Sequence, residues 1–318
     1  MSANATVVLD SPGLATEVCG ANDSNLRVLE ELLDARIHSR GNELFLEGSD
    51  GTTGDTLLKV LEELKQYVRL GQPVGPELIR SVYSSMTEEE GGDDLRRRAI
   101  EIGPNGRTVY PRSARQASYV EAMSSQELVF GIGPAGTGKT YLAVAHALRE
   151  VLSRRKRKLI LTRPVVEAGE RLGYLPGDLA QKLHPYLRPL YDAMESLMPP
   201  ETMERLEENR IIEISPLAYM RGRSLNDCCV ILDEAQNTTK EQMKMFLTRL
   251  GEDSTAVVTG DITQIDLAKA KDSGLLHVVH LLNGIPGIHF SHFTSRDVVR
   301  SRLVKRIVEA YEAQEQRE

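Results

Sequence analysis

Eight consecutive residues of the chain have the types and spacing of a phosphate-binding loop. They fit the pattern G-x-x-x-x-G-K-[ST] and are Gly133, Pro134, Ala135, Gly136, Thr137, Gly138, Lys139 and Thr140. The glycines let the backbone curl so that several N–H groups point at one phosphate. The Lys139 ammonium can reach the β- and γ-phosphates, and the Thr140 hydroxyl can bind Mg²⁺. The loop therefore predicts a site for a nucleoside triphosphate and its magnesium ion.

Polar side chains also follow two apolar runs that are predicted to be buried strands. Asp233 and Glu234 come directly after Val230–Leu232, and Gln264 follows the run that ends at Thr259. In open α/β sheets ligands bind at the carboxyl ends of the strands, which is where these side chains would lie. We expect Asp233 to hold Mg²⁺ through water, Glu234 to orient and polarise the attacking water, and Gln264 to sense the γ-phosphate.

A nucleotide site also needs side chains that recognise the base and neutralise charge. Gln116 lies upstream of the loop, and a glutamine amide can pair with both N6 and N7 of adenine. Because the sequence has no guanine-reading N-K-x-D motif, ATP is the expected nucleotide. An arginine that neutralises the transition state can be worth about 10³–10⁵ in rate. The candidates are Arg163, Arg249, Arg296 and Arg300.

From about residue 110 onward, apolar runs alternate with helical patterns. This order is typical of a largely parallel sheet with helices on both faces. The predicted strands are Val129–Ile132, Lys158–Thr162, Ile211–Ser215, Cys229–Leu232, Ala256–Thr259 and Ile288–Ser291. The predicted helices are Lys139–Leu152, Asp178–Leu197, Lys240–Leu250, Leu275–Leu282 and Ser295–Ala313.

The N-terminal part has a different organisation. Residues 1–86 are predicted to form a small α/β domain, with strands near 5–9, 37–39 and 43–47 and helices near 26–33, 56–70 and 76–84. Residues 87–107 contain an acidic, glycine-rich run followed by three arginines, which indicates a charged linker. The remaining residues, 108–318, are predicted to form the nucleotide-binding domain.

Composition limits the classes of protein to which the chain can belong. The 318 residues carry a net charge of −7, so the chain as a whole is not a basic nucleic-acid binder, although a local basic face stays open. The three cysteines, Cys19, Cys228 and Cys229, form no C-x-x-C pair and indicate reduced thiols. With neither a signal-peptide pattern nor an apolar stretch of membrane-spanning length, we expect a soluble, cytoplasmic protein without a membrane partner.

The motifs together resemble the PhoH family of P-loop ATPases. Besides the loop itself, within Phe130–Ala143, the resemblance rests on Leu161–Gly177, Leu232–Thr239 and Val258–Leu267. It implies a core like the first RecA-like domain of superfamily 1 helicases. The predicted fold class is therefore α/β, with a RecA-like P-loop NTPase core preceded by a small α/β domain. The resemblance assigns the adenine reader, the Mg²⁺ and water residues and the γ-phosphate sensor to Gln116, Asp233, Glu234 and Gln264.

The resemblance also implies an assembly and partners. Thr162-Arg163-Pro164 would match a strand-contacting motif of helicases. Because the chain lacks room for a second RecA domain, a neighbouring subunit should complete the ATP site in a ring-shaped homo-oligomer, with Arg249 or Arg296 acting in trans. RNA is the expected substrate partner, and an endoribonuclease or ribosome-associated protein is the expected protein partner.

The N-terminal domain resembles a KH-type RNA-binding module. Such a module clamps the nucleic-acid backbone with a G-x-x-G loop, and the corresponding residues here are Gly20-Ala21-Asn22-Asp23. The Asp23 carboxylate, in place of the second glycine, would repel phosphate. RNA binding and a role in protein contact or assembly therefore both stay open for this domain.

Three functions follow from these patterns. The first is an ATPase that remodels or unwinds RNA. The second is a nucleotide-dependent switch that acts on a protein partner, with slow hydrolysis and no unwinding. The third is a small-molecule kinase, in which Val166–Asp178 would serve as a lid. RNA-stimulated hydrolysis separates the first from the second, and a stable phosphorylated product would indicate the third.

Overall fold

The computed structural model describes residues 3–49, 51–69, 73–87, 98–103, 107–165 and 179–298. The chain divides into two compact units. One contains the described residues up to Ala99 together with Val109–Ala117, and the other contains Ile100–Thr108 and the described residues from Ser118 on. The predicted boundaries at 86 and 107 stay a prediction, and the acidic run of the predicted linker lies outside the described residues.

The first unit is built on a three-stranded antiparallel sheet in the order β1-β3-β2. In chain order its elements are β1 (Ala3–Val8), α1 (Pro12–Cys19), α2 (Ser24–Leu33), β2 (Arg36–Arg40), β3 (Glu43–Ser49), α3 (Gly51–Arg69) and α4 (Pro76–Thr87). Apolar residues at helical spacing on α2 and α3 form its core, among them Leu26, Leu29, Leu57, Leu61 and Leu64. Helix α1 was not predicted from the sequence.

A tight turn joins α1 to α2. Gly20 ends α1 with a φ of 74°, and a Cβ atom there would lie 2.7 Å from Ser24 Oγ. The turn continues through Asn22 (φ 53°) and Asp23 (φ 58°), both left-handed. Glycine, asparagine and aspartate are the residues that adopt this conformation at least cost, so the sequence Gly20-Ala21-Asn22-Asp23 specifies the turn.

The second unit contains a six-stranded parallel sheet, as predicted, in the order β11-β6-β10-β9-β7-β8. The strands are β6 (Leu128–Ile132), β7 (Lys158–Arg163), β8 (Ile212–Pro216), β9 (Cys228–Leu232), β10 (Thr255–Gly260) and β11 (Ile288–His292). Every residue of β6 and β9 is buried, because helices cover both faces of such a sheet. Two short strands, β4 (Ile100–Glu101) and β5 (Thr108–Val109), pair with each other.

Six α-helices lie in the described part of the chain from residue 114 on. They are α5 (Ala114–Ser125), α6 (Lys139–Leu152), α7 (Leu179–Glu195), α8 (Pro200–Glu208), α9 (Lys240–Leu247) and α10 (Gly274–Leu281). Helices α6, α7, α9 and α10 match predicted helices, whereas α5 and α8 add to them. Of the predicted helix Ser295–Ala313, the short 3₁₀ turn Ser295–Asp297 is described and residues 299–313 lie outside the described residues. No described helix has the length and apolar character needed to cross a membrane.

Strand register brings the polar ends of the strands together. On β10, Gly260 pairs with Ile132 of β6 and Val258 pairs with Leu232 of β9. On the other side of β9, Leu232 pairs with Thr162 of β7. Because parallel strands end at the same edge of a sheet, the residues that follow these pairs leave the sheet side by side.

Candidate nucleotide-binding site

The predicted phosphate-binding loop joins β6 to α6. Its first residue, Gly133, donates its N–H group to the Gly260 carbonyl oxygen at 3.1 Å. A Cβ atom on Gly133 would lie 2.6 Å from the Phe293 carbonyl oxygen, so glycine is required there. Gly136 and Gly138 have φ angles of 82° and 78°, and α6 begins at the next residue. The loop therefore curls back over the amino end of a helix, where the macrodipole favours an anion.

A cavity of about 260 Å³ opens beside this loop. It brings together the five side chains that were predicted to bind phosphate and magnesium and to act on water, namely those of Lys139, Thr140, Asp233, Glu234 and Gln264. Ala135, Gly136, Gly138, Tyr141, Gly260 and Asp261 complete its lining. The lining thus combines the amino end of a helix and its lysine with three carboxylates.

The two predicted metal ligands are adjacent. Thr140 Oγ1 donates a hydrogen bond to Asp233 Oδ1 at 2.7 Å, and Thr259 Oγ1 donates to the same oxygen at 2.7 Å. Asp233 is buried, and the hydrogen bonds from these two hydroxyl groups fix the orientation of its carboxylate. Hydroxyl and carboxylate oxygens are the hard donors that Mg²⁺ prefers. Thr259 was absent from the predicted set, although its place at the end of an apolar strand was a usable signal.

Lys139 lines the cavity. Its Nζ atom donates to the Pro134 carbonyl oxygen at 3.0 Å. Burial lowers the pKa of Lys139, and the carboxylates of Asp261, Glu234 and Asp233 act in the opposite direction. The ammonium group therefore has a weak, neutral partner that a phosphate oxygen can replace with a charge-assisted hydrogen bond.

Both oxygens of the Glu234 carboxylate are engaged. Glu234 adopts a left-handed conformation with a φ of 51°. Its Oε1 atom lies 3.5 Å from a terminal nitrogen of Arg163, and its Oε2 atom accepts a hydrogen bond from Gln236 Nε2 at 2.6 Å. The Arg163 guanidinium also lies 3.8 Å from Asp233 Oδ2. One arginine therefore bridges the two acids that were predicted to bind the metal and activate water.

The other candidate arginines are not brought to these acids in the described structure. Arg249 donates to the Arg223 carbonyl oxygen at 3.4 Å. The side chain of Arg296 and the whole of Arg300 lie outside the described residues. Among the described candidates, Arg163 is thus the arginine that contacts the acids of the site.

The segment after β10 contributes two cavity residues. Gln264 lines the cavity, as predicted, and its carbonyl oxygen accepts from Gln236 Nε2 at 3.1 Å. Asp261 is 3% exposed, and its Oδ1 atom accepts from the Thr263 N–H and hydroxyl groups at 2.9 Å and 2.7 Å. Its Oδ2 atom has no hydrogen-bond partner among the described residues. An orphaned buried carboxylate oxygen in this cavity fits a site that takes a hydrated cation.

Tyr119 contacts the end of the phosphate-binding loop through a buried side chain. It is fully buried, and its hydroxyl donates to the Lys139 carbonyl oxygen at 3.3 Å. A Cβ atom on Gly131 would lie 2.8 Å from that hydroxyl oxygen, so β6 needs a glycine there. Burial raises the pKa of Tyr119, and the Asp233 charge raises it further, so the phenol stays protonated as a donor. This long-range contact has no signal in the sequence.

Gln116, the predicted adenine reader, lies on α5 within the first compact unit. Its side chain is buried, and its Oε1 atom accepts from the Arg112 N–H group at 2.6 Å. A carbonyl oxygen can accept a second hydrogen bond, which an adenine amino group would have to supply. The assignment of Gln116 to the base stays a prediction.

Known proteins resemble the chain over most of its length. The profile of a family described as PhoH-like protein matches residues 108–312. A PhoH-like protein of Mycobacterium bovis is 49% identical over 303 residues, which cover 94% of this chain and 85% of that protein. A PhoH-like protein of Bacillus subtilis is 46% identical over 310 residues, which cover 96% of both chains. Protein PhoH of Escherichia coli is 43% identical over 218 residues, 67% of this chain and 62% of that protein.

The family match spans the loop, the parallel sheet and the acids at its carboxyl edge, and the Mycobacterium and Bacillus relatives extend the likeness through the N-terminal unit. The resemblance inferred from the sequence motifs is thereby confirmed. This chain belongs to the PhoH family and has the fold of a P-loop ATPase-type protein.

Proposed function

We propose that this protein binds ATP with Mg²⁺ and hydrolyses it, and that hydrolysis is coupled to the remodelling or unwinding of RNA. The observation that carries the ATPase part is the cavity in which Lys139, Thr140, Asp233 and Glu234 meet beside the amino end of α6. The same cavity is lined by phosphate-binding groups and by a carboxylate suited to orient water.

The proposed mechanism gives each side chain a separate task. The loop N–H groups and Lys139 bind the β- and γ-phosphates, while the Thr140 hydroxyl and Asp233 hold the metal. When bound, Mg²⁺ neutralises charge on the phosphate oxygens. Glu234 accepts a hydrogen bond from the attacking water and so aligns it with the γ-phosphorus. Gln264, on the segment that follows β10, contacts the γ-phosphate and responds to its loss.

Steady-state hydrolysis of ATP by the purified protein tests this proposal. The rate is measured with and without single-stranded RNA at a stated salt concentration, because phosphate contacts are salt-sensitive. We expect Lys139→Ala to abolish nucleotide binding or turnover, and Glu234→Gln to retain ATP without hydrolysing it. Wild-type turnover in Lys139→Ala would refute the assignment of the site.

The coupling to RNA is supported by the likeness of the core to helicase RecA domains and of the N-terminal unit to KH modules. Gly20–Asp23 forms a tight turn between α1 and α2, and the Asp23 side chain is exposed there. Because Asp23 already has a left-handed φ of 58°, a glycine fits its backbone without strain. Asp23→Gly also removes the carboxylate that would repel phosphate, so RNA binding by this turn would strengthen in that variant.

We also propose a ring-shaped homo-oligomer with an endoribonuclease or ribosome-associated protein as partner. The support is the single six-stranded RecA-like sheet in the described residues, since such ATPases commonly complete their site with a second domain or subunit. Mixing Lys139→Ala protein with Arg249→Ala protein tests this assembly. Restored hydrolysis would indicate a site shared between subunits, and none would count against Arg249 in trans.

A second candidate function is the nucleotide-dependent switch that acts on a protein. The favouring observation is that the Arg163 guanidinium lies 3.5 Å from Oε1 of Glu234. A water-orienting carboxylate that is paired with an arginine supports only slow hydrolysis until that ion pair separates. Slow hydrolysis that ignores RNA would favour this function over remodelling.

A further inference from the structure

One buried amide joins three of the residues that line the cavity. Gln236 is 1% exposed. Its Nε2 atom donates to Glu234 Oε2 at 2.6 Å and to the Gln264 carbonyl oxygen at 3.1 Å. Its Oε1 atom accepts from the Asp261 N–H group at 3.0 Å. All three of these hydrogen bonds end on residues that line the cavity.

The position of this amide is built into the surrounding fold. The Gln236 carbonyl oxygen accepts from the buried Ser273 hydroxyl at 2.8 Å, at the start of α10. A Cβ atom on Gly260 would lie 2.9 Å from Gln236 Oε1, so the glycine at the end of β10 leaves the space that the amide fills. The side chain is therefore held from its backbone side and enclosed on its other side.

We propose that Gln236 is a positioning residue for hydrolysis, which fixes the Glu234 carboxylate to the segment Asp261–Gln264. The amide donates to the water-orienting carboxylate and, through its other two hydrogen bonds, holds the segment that carries the γ-phosphate sensor. A shift of Gln264 is thus transmitted to Glu234 through one rigid group. This inference rests on the proposed ATPase function, but the contact itself can be tested without hydrolysis.

Two substitutions separate the two sides of the amide. Gln236→Glu keeps an oxygen that can accept from the Asp261 N–H group, but it removes the donor to Glu234 and brings a second negative charge beside it. Gln236→Met removes both the donor and the acceptor at similar length.

The next residue supplies a matched control. Asn237 Nδ2 donates to Asp266 Oδ2 at 3.2 Å, and its Oδ1 atom accepts from the Asp266 N–H group at 2.8 Å. It therefore joins the same two segments through a carboxylate that does not line the cavity. Asn237→Asp replaces an amide that donates to Asp266 with a carboxylate. Gln236→Glu makes the same replacement in the amide that donates to Glu234.

Kinetics with Mg·ATP distinguish positioning from stability. We expect Gln236→Glu to lower kcat by about 10- to 100-fold, as for a lost hydrogen bond to a charged group, with KM unchanged. Asn237→Asp is expected to keep the wild-type kcat, even where both variants unfold at equally reduced temperatures. Equal losses of kcat in the two variants, or an unchanged kcat in Gln236→Glu, would overturn the proposal.

Amide hydrogen exchange without nucleotide provides the readout that is independent of activity. Gln236→Met should accelerate exchange at Asp261, whereas Gln236→Glu should retain protection there because the acceptor remains. Unchanged protection at Asp261 in Gln236→Met refutes the inference alone. Absence of hydrolysis by the wild-type protein, with protection lost in Gln236→Met, refutes the proposed function and leaves the contact established.

Discussion

The ion pairs of Arg163 should make the stability of the site depend on nucleotide. Among the described residues, this guanidinium is the cation found within 4 Å of both Asp233 and Glu234, at 3.8 Å and 3.5 Å. Arg163→Gln leaves the two adjacent carboxylates without it. A bound magnesium ion supplies positive charge at the same place, so the substitution should cost less stability when nucleotide is present.

The expected loss of stability in Arg163→Gln follows from how exposed Arg163 and its two acidic partners are. Removing one member of a fully buried pair costs about 3–5 kcal/mol, and exposed pairs are worth about 0–1 kcal/mol. The Arg163 and Glu234 side chains are 22% and 36% exposed, and Asp233 is 8% exposed. We therefore expect a loss of about 2 kcal/mol without nucleotide, which corresponds to about 4–8 °C in Tm for a domain of this size.

Thermal unfolding of Arg163→Gln with and without Mg·ADP measures this difference, with Arg223→Gln as the control. Arg223 pairs with Glu213 on β8, away from the cavity lining, and its side chain is 31% exposed. The Tm of the control should fall by the same amount below that of the wild-type protein in both conditions, whereas the decrease for Arg163→Gln should be much smaller with Mg·ADP. If the Tm of Arg163→Gln falls equally with and without Mg·ADP, the reasoning about shared charge is wrong.

Three further outcomes follow from the geometry. Gly133→Ala should abolish nucleotide binding, because the new Cβ atom would lie 2.6 Å from Phe293 backbone and side-chain atoms. Titration with fluorescent ATP measures this loss. Gly41→Ala, where the added Cβ atom meets open space, is the control and should retain binding. Hydrogen bonds from Arg223 and, to a smaller extent, Lys158 lower the pKa of Glu213 from 4.5 to about 2, so this carboxylate stabilises the fold above pH 4.5 and loses that contribution as the pH falls towards 2. In urea titrations, Arg223→Gln should show a shallower loss of stability over that range, and an unchanged slope would contradict the pairing. Asp23→Gly should bind single-stranded RNA more tightly in salt-matched titrations, and equal affinity would exclude the α1–α2 turn from RNA binding.

The parts of the site that the sequence predicted are those defined by one strand and its end. Asp233 and Glu234 follow an apolar run, and in a parallel sheet such a run must be buried with its polar end at the ligand edge. The phosphate loop is similarly local, because its glycines and the start of α6 are consecutive in the chain. Gln264 was predicted for the same reason, and it lines the cavity together with Asp233, Glu234 and five of the eight loop residues.

The parts that could not be predicted depend on which strands are neighbours. Four arginines were candidates, and Arg163 contacts the acids because β7 lies beside β9 with Thr162 opposite Leu232. That pairing crosses about 70 residues of chain and has no local signal. Gln236 is only two residues from Glu234, but its role depends on the left-handed turn at Glu234 and on the approach of Asp261 from β10.

The size of any RNA effect would itself separate two mechanisms of activation. Release of Glu234 from one charged hydrogen bond is worth about 1.5–3 kcal/mol, or about 10- to 100-fold in rate. An arginine supplied by a second subunit is worth about 10³–10⁵. We expect RNA to stimulate hydrolysis by no more than about 100-fold if it acts by freeing the Glu234 carboxylate from Arg163. Stimulation above about 10³ at fixed salt would instead require a charge from another chain, and it would then depend on protein concentration in the range where subunits assemble.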